Sequence, residues 1–322
     1  MIHDTTSVLA PVAVFVYNRL SNTQEVVKAL QSNYLAKETD VYFFSDGPKD
    51  SRQKKRVDDV RSFLRTVTGF KSVTIIEREK NYYIEQNIIQ GVTQLINKFG
   101  RLIILEDDGV TAPHFLTFMN QALTFYESKK QVMHIGTFTF INLPENFRET
   151  FFWRYCENGG GGWATWKDRW EKFQYFADET TALASLTADQ RERIEMGGVF
   201  QFLSTLKLQP IPWDICWYMT VARNNGLAVQ TPHALTINNG LYNGTHFGPI
   251  NRLFGKSPFA VQLDTKEEII FSEVIEENER ALELLKQFYD NMARNKRAQV
   301  WHAFLRILVF LRITKLLKRL FK

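Results

Sequence analysis

Residues 101–116 read RLIILEDDGVTAPHFL. Glu106, Asp107 and Asp108 are three consecutive carboxylates at the end of an apolar run. They offer hard oxygen ligands, the kind that suits Mg2+ or Mn2+, ions that keep several waters and share the phosphate oxygens of a substrate. A cation held there would clamp a diphosphate and stabilise it as a leaving group. No base lies inside the triplet to pair with it, so the segment predicts a divalent cation. The plain alternative is a solvated acidic turn whose Thr111 caps the following helix. The LIIL run before the acids and the APHFL helix start after them favour a site.

A second constellation is PWDICW (212–217), which sets Asp214 between Trp213 and Trp217 at a predicted helix start. A carboxylate in apolar surroundings is raised toward the range of a useful general base. The competing role for Asp214 is that of an N-cap. Glu157 is the next candidate base. His246, in NGTHFG (243–248), is either a ligand of a diphosphate or metal or an ordinary loop histidine. Asp46-Gly47-Pro48 reads as a turn at a strand end. GGGGW (159–163) reads as a lid over a pocket or as a linker, with Trp163 at the pocket wall. Trp163, Trp166 and Trp170 recur at i, i+3 and i+7, and the last two are expected on one face of a packed helix.

These residues need elements to bring them together. PVAVFVY (11–17), VYFFSD (41–46), SVTIIE (72–77), LIIL (102–105) and VMHIGT (132–137) read as strands. Between them lie predicted helices: one capped by Ser21 or Asn22, one around 51–65, one over 84–99 with apolar residues at helical spacing, and one over about 113–128. Strands that are apolar throughout, alternating with helices, imply an α/β fold with a mostly parallel sheet covered on both faces. In such sheets ligands bind beyond the carboxyl ends of the strands. Asn18-Arg19, Asp46 and the triple acid all fall at such ends. Past residue 150 aromatics thicken and helices are expected to dominate to about 225, with an acidic helical pair over 264–290.

The chain has 322 residues, 44% of them hydrophobic, which is enough for a sizeable core. Its two cysteines, Cys156 and Cys216, suggest no disulfide framework and a reducing compartment. The start lacks a basic segment, so no signal peptide is expected. The net charge of +5 is uneven: nine bases and no acid follow Asp290, which leaves residues 1–290 at −4. The basic balance therefore gives no ground for a nucleic-acid partner. In VWHAFLRILVFLRITKLLKRLFK, Arg306 and Arg312 interrupt a run that would otherwise near the roughly 20 apolar residues of a membrane span. Arg312, Lys315, Arg319 and Lys322 share one helical side, and Val309, Ile313, Leu316 and Leu320 another. That is the pattern of a helix lying on an anionic membrane surface.

RLIILEDDGVTAPHFLTFMNQAL closely resembles the acidic metal motif and following helix of GT-A nucleotide-sugar glycosyltransferases. The likeness is to the β-1,2-N-acetylglucosaminyltransferase family and related bacterial polysaccharide enzymes, and it extends from PVAVFVYNR through WATWKDRW to NGTHFG. It implies a GT-A (Rossmann-like) domain over 1–262, with a nucleotide-sugar-binding half over 1–137 and an acceptor-binding half over 138–262. A helical extension with the basic tail would follow over 263–322. The resemblance implies that Arg19 approaches the nucleotide phosphates and Asp46 reads a uracil. Asp108 would ligate Mn2+ or Mg2+, with His246 a further candidate, while Glu106 and Asp107 meet sugar and ribose hydroxyls. Asp214 would deprotonate the acceptor, Trp213 would stack on a sugar face and Trp163 would line the donor pocket. The implied reaction is inverting transfer from a UDP-sugar to a glycan or lipid-linked glycan acceptor in surface polysaccharide synthesis, in the cytoplasm at the inner face of the cell membrane. The competing readings are a metal-dependent nucleotidyltransferase and a non-catalytic, membrane-associated sugar-binding protein. VFVYNRLSN lacks the Gly-rich basic loop that the former calls for.

Overall fold

A computed structural model describes residues 8–154, 156, 162–196, 198, 202–240, 259, 261–266 and 268–294. Glu157, His246, glycines 159–161 and the basic tail from 295 lie outside the described residues.

The first half follows the expected alternation. The elements run β1 (Val12–Val16), α1 (Leu20–Gln31), β2 (Asp40–Ser45), α2 (Ser51–Leu64), β3 (Ser72–Glu77), α3 (Tyr83–Phe99) and β4 (Arg101–Glu106). Then come β5 (Gly109–Thr111), α4 (Phe115–Phe125) and β6 (Val132–Gly136). Successive residues of a strand point to opposite faces, and both faces here are packed. Ala13 and Phe15 of β1, with Leu102 and Ile104 of β4, join α3 in one core. Val12, Val14 and Val16, with Ile103 and Leu105, join α1, α2 and α4 in the other. Two capping expectations are corrected. α1 begins at Leu20, after an Arg19 that makes no side-chain cap, and neither Ser21 nor Asn22 starts it. α4 follows His114, while Thr111 belongs to β5.

The second half continues with β7 (Phe151–Trp153), β8 (Gly162–Trp166), α5 (Lys167–Trp170), α6 (Glu179–Ala184), α7 (Ala188–Glu195), α8 (Trp213–Arg223), β9 (Leu227–Gln230) and β10 (Thr236–Asn238). A last described helix, α9, covers 279–294. Eight strands form one sheet in the order β3-β2-β1-β4-β8-β6-β9-β7. β3, β2, β1 and β4 are mutually parallel, and so are β6 and β9. β8 runs antiparallel to both neighbours, β4 and β6. The fold is thus a mixed α/β fold with a mostly parallel sheet flanked by helices, and strands from both sides of residue 137 share that sheet.

WATW is part of the strand β8, so Trp166 does not share a helix face with Trp170. Its i, i+3 spacing therefore puts the two rings on opposite faces, Trp163 in the first core and Trp166 in the second. Trp166 Nε1 donates to the Leu123 carbonyl of α4 at 2.9 Å. Trp170, on α5, returns to the first core. The acidic stretch 264–290, expected as two helices, holds one among the described residues. Residues 261–266 and 268–278 instead run in an irregular strap against β7, bridged at Glu149–Ile270 and Phe152–Glu277. Charge explains it: Arg148 pairs with Asp264 at 2.8 Å, and Arg154 pairs with Glu277. Phe271 packs against Phe118, Phe125 and Tyr126.

Candidate active site

β1 and β4 are neighbours in parallel register, with Phe15 beside Glu106. The residues just beyond their carboxyl ends, Arg19 and the triple acid, therefore meet. The Arg19 guanidinium clasps Asp107 through two nitrogens, with Nε to Oδ2 at 3.3 Å and Nη2 to Oδ1. Nη2 also reaches Oδ2 of Asp108 at 3.0 Å. The triplet thus has a base that its own segment does not supply. Burial works against the Arg19 charge, but Asp107 and then Asp108 outweigh it, so its pKa is raised. Burial pushes the Asp107 carboxyl above its ordinary value, Arg19 notwithstanding.

Glu106 makes no side-chain hydrogen bond to a described residue. Burial first, then the charges of Asp108, Asp107 and Asp214, hold its carboxyl well above the usual range. Asp214 therefore stands near enough to act on it, although the two are more than one hundred residues apart in the chain. Asp214 is half-buried in the first turn of α8. It is not the N-cap, which is Pro212. Its Oδ1 accepts from the Ile215 amide at 2.9 Å. Glu85, in the first turn of α3, is a further acid here, its carboxyl raised by burial and, in smaller part, by Asp214. Sequence reasoning passed over Glu85 because it reads as an ordinary first-turn acid of a helix.

The wall opposite α1 comes from late in the chain. β5 pairs antiparallel with β10, and the Asn239 amide donates to the Asp108 carbonyl at 2.9 Å. The Asn22 side chain donates to Asn239 Oδ1 at 2.9 Å. Gly240 comes close here: a Cβ at this position would meet the Asp108 carboxylate and the Arg19 guanidinium, which would have to shift. His246 follows within a few residues, beyond what is described.

Packing surrounds four of the residues given expected roles. Trp163 is 1% exposed. Its ring stacks on Trp213 and on His134, each at 5.5 Å, so it is packed in the core rather than lining a donor pocket. Trp213 is 4% exposed with Trp163 stacked on it, so the expected sugar platform is a core ring. Together with Trp170 and Trp217 these rings form one cluster joining β8, α5 and α8. Asp46, 5% exposed, fastens the loop after β3. Its Oδ1 accepts from the Gly47 and Tyr82 amides at 2.9 and 2.8 Å, and Oδ2 accepts from the Asn81 side chain at 3.0 Å. Little of its surface is left for a base. Gly162, last of the glycine run, lies in β8 where a Cβ would strike Thr236 and Thr137, so this glycine serves close packing rather than a lid.

Among the described residues no group of three His, Cys, Asp or Glu side chains forms a metal cage. The donors still fit a hard cation. Arg19 takes both oxygens of Asp107 and one of Asp108, and leaves Asp108 Oδ1 and the Glu106 carboxylate. Mg2+-type ions bind through one or two carboxylates plus substrate phosphates.

No known family's sequence profile matches the chain, and no characterised protein matches it in sequence. Among solved structures it is similar to a mannosyltransferase from Pyrobaculum calidifontis in complex with GDP-Man and Mn2+. That likeness has 14% identity and a TM-score of 0.38, over 69% of this chain and 75% of that one. It is similar to S. aureus TarS at 14% identity and a TM-score of 0.28, over 44% of this chain and 24% of that one. It is also similar to a UDP-glucose pyrophosphorylase complexed with UDP-glucose, at 7% identity and a TM-score of 0.34, over 69% of this chain and 90% of that one. The site residues named above rest on this chain's own geometry.

Proposed function

We propose that the chain is a glycosyltransferase that moves a sugar from a nucleotide sugar, first of all a UDP-sugar, to a glycan or lipid-linked glycan acceptor. The observation that carries this is the meeting of Arg19, Glu106, Asp107 and Asp108 at the carboxyl edge of the parallel strands, with Asp214 within electrostatic reach. Asp108, with Glu106 beside it, would hold Mn2+ or Mg2+. When bound, such an ion neutralises charge on a departing diphosphate. Arg19 fixes the Asp107 and Asp108 carboxylates. Asp214 accepts the proton of the acceptor hydroxyl as that oxygen attacks the anomeric carbon from the face opposite the nucleotide, so the configuration inverts.

The test compares the wild type with Asp108→Asn. Calorimetry should show UDP binding that depends on Mn2+ in the wild type and is abolished in the variant. Unchanged affinity in the variant would refute the metal assignment. Release of UDP from a UDP-sugar supports transfer, whereas pyrophosphate-dependent release of UTP would make the chain a nucleotidyltransferase. Absence of any turnover alongside binding would make it a sugar-binding protein.

No helix among the described residues is long and apolar enough to cross a membrane. The basic tail is proposed to hold the enzyme on an anionic membrane surface, where a lipid-linked acceptor is presented. Co-sedimentation with anionic vesicles of the full chain but not of a chain ending at Asn295 supports this, and equal pelleting overturns it.

A further inference from the structure

We propose that a second binding site, for a carboxylate or phosphate group on a ligand of sugar size, lies in the cavity between α7, the turn after α8, and α9. The cavity measures about 440 Å³, within the range of small-molecule pockets. It is lined by Arg154 and Gln190, by Arg193 of α7, by Asn225 in the turn and by Lys286 of α9, with Asp189 and Glu192 at the exposed rim.

The charges on its inner wall are incompletely matched. Glu277 is committed to Arg154, whose Nε and Nη2 it holds in a two-pronged pair. Arg193 stands beside that pair without an acid of its own. Its Nη2 donates to the Gly226 carbonyl at 3.1 Å, while its Nε is buried and makes no hydrogen bond. Lys286 likewise makes no ion pair with a described residue, and neither rim acid pairs with either cation. A buried guanidinium donor without an acceptor is costly and uncommon, and a ligand oxygen would satisfy it. Burial and the neighbouring Arg154 also lower the Arg193 pKa, as expected of a cation short of counter-charge.

The cavity is distinct from the acidic cleft, and the two are linked by α8. Asp214 opens that helix, and one turn on, the Tyr218 hydroxyl donates to the Ile194 carbonyl beside Arg193.

The experiment is calorimetric titration of the full chain with glucuronate, with glucose 6-phosphate and with glucose. Saturable binding of one or both charged sugars and none of glucose is expected, and the pair tells carboxylate from phosphate. Arg193→Gln and Lys286→Gln should each weaken that binding roughly tenfold or more, since each removes a charged hydrogen-bond donor. Asp108→Asn should leave it unchanged while losing metal-dependent UDP binding, so the two sites stand or fall separately. Failure of both charged sugars to bind, equal binding of glucose, or wild-type affinity in the variants would overturn the proposal. If Arg193→Gln does not fold, Lys286→Gln decides alone.

Discussion

Arg19→Gln should destabilise the protein by about 2–4 kcal/mol. Removing one partner of a buried ion pair costs about 3–5 kcal/mol because an uncompensated charge stays behind, whereas an exposed pair is worth about 0–1 kcal/mol. The pair lies between these limits: the Arg19 side chain is 29% exposed, against 7% for Asp107 and 15% for Asp108. Its loss would also leave three adjacent carboxylates repelling one another. Urea unfolding followed by tryptophan fluorescence is a suitable assay, because the Trp163–Trp213–Trp217 cluster sits in the core beneath the site. The midpoint should fall with the urea slope unchanged. Asp107→Asn in the same background should recover part of the loss, with a coupling of at least about 1 kcal/mol. A loss under about 1 kcal/mol, or two losses that simply add, would show that the clasp seen between Arg19 and Asp107 holds nothing together.

Asp214→Asn should leave the affinity for UDP and Mn2+ within twofold of wild type and lower sugar transfer by about 10²–10⁴, and near-normal turnover in a transfer assay would move the base elsewhere. Trp163→Ala should cost about 3–5 kcal/mol by emptying a packed site, measured by the same urea titration, and a fall below about 1 kcal/mol would contradict the core placement. Burial raises the Glu277 carboxyl, but the hydrogen bonds and charge of Arg154 prevail and hold it below the usual range. Its contribution to stability is therefore complete above an unfolded value of about 4.3 and is lost as pH falls through the folded value. The stability gap between wild type and Glu277→Gln should shrink on acidification from pH 7 to pH 3 in thermal unfolding, and a gap that widens instead would be incompatible with the Arg154 pair.

The parallel half of the sheet was legible in the sequence because β1 and β4, and most of β2, are buried on both faces and so read as apolar runs, while the edge strand β3 keeps enough β-branched residues to read as a strand. The placing of acids at strand ends followed from the same rule. What stayed hidden depended on contacts between distant segments. Arg19 meets Asp107 only once β1 lies beside β4, and no local pattern states that pairing. Trp166 and Trp170 were expected on one helix face from their spacing, yet pairing of residues 162–166 with both β4 and β6 made that segment a strand and set the two rings in opposite cores. Trp213 was given a ligand contact from its residue type and Asp46 from the family resemblance alone; the structure finds Trp213 buried among rings and Asp46 fastening a loop, in keeping with the turn that its own residues suggest. The acidic stretch 264–290 read as a helical pair, whereas the pairing of Asp264 with Arg148 and of Glu277 with Arg154 holds its first part as a strap along the sheet edge.

The place of β8 in the sheet has a consequence for synthesis. β4 carries the acids, and one of its edges is covered by β8, which the ribosome makes more than fifty residues later. Until residues 162–166 emerge, the LIIL segment of β4 presents an open, apolar strand edge, the feature through which nascent chains aggregate. At roughly 5–20 residues per second, that interval lasts several seconds. A fragment ending at residue 137 would keep the acids, Arg19 and every strand of the first half but would never close that edge. The chain is therefore ill suited to being divided between its two halves, and a permuted version that delivers β8 before β4 would shorten the exposure.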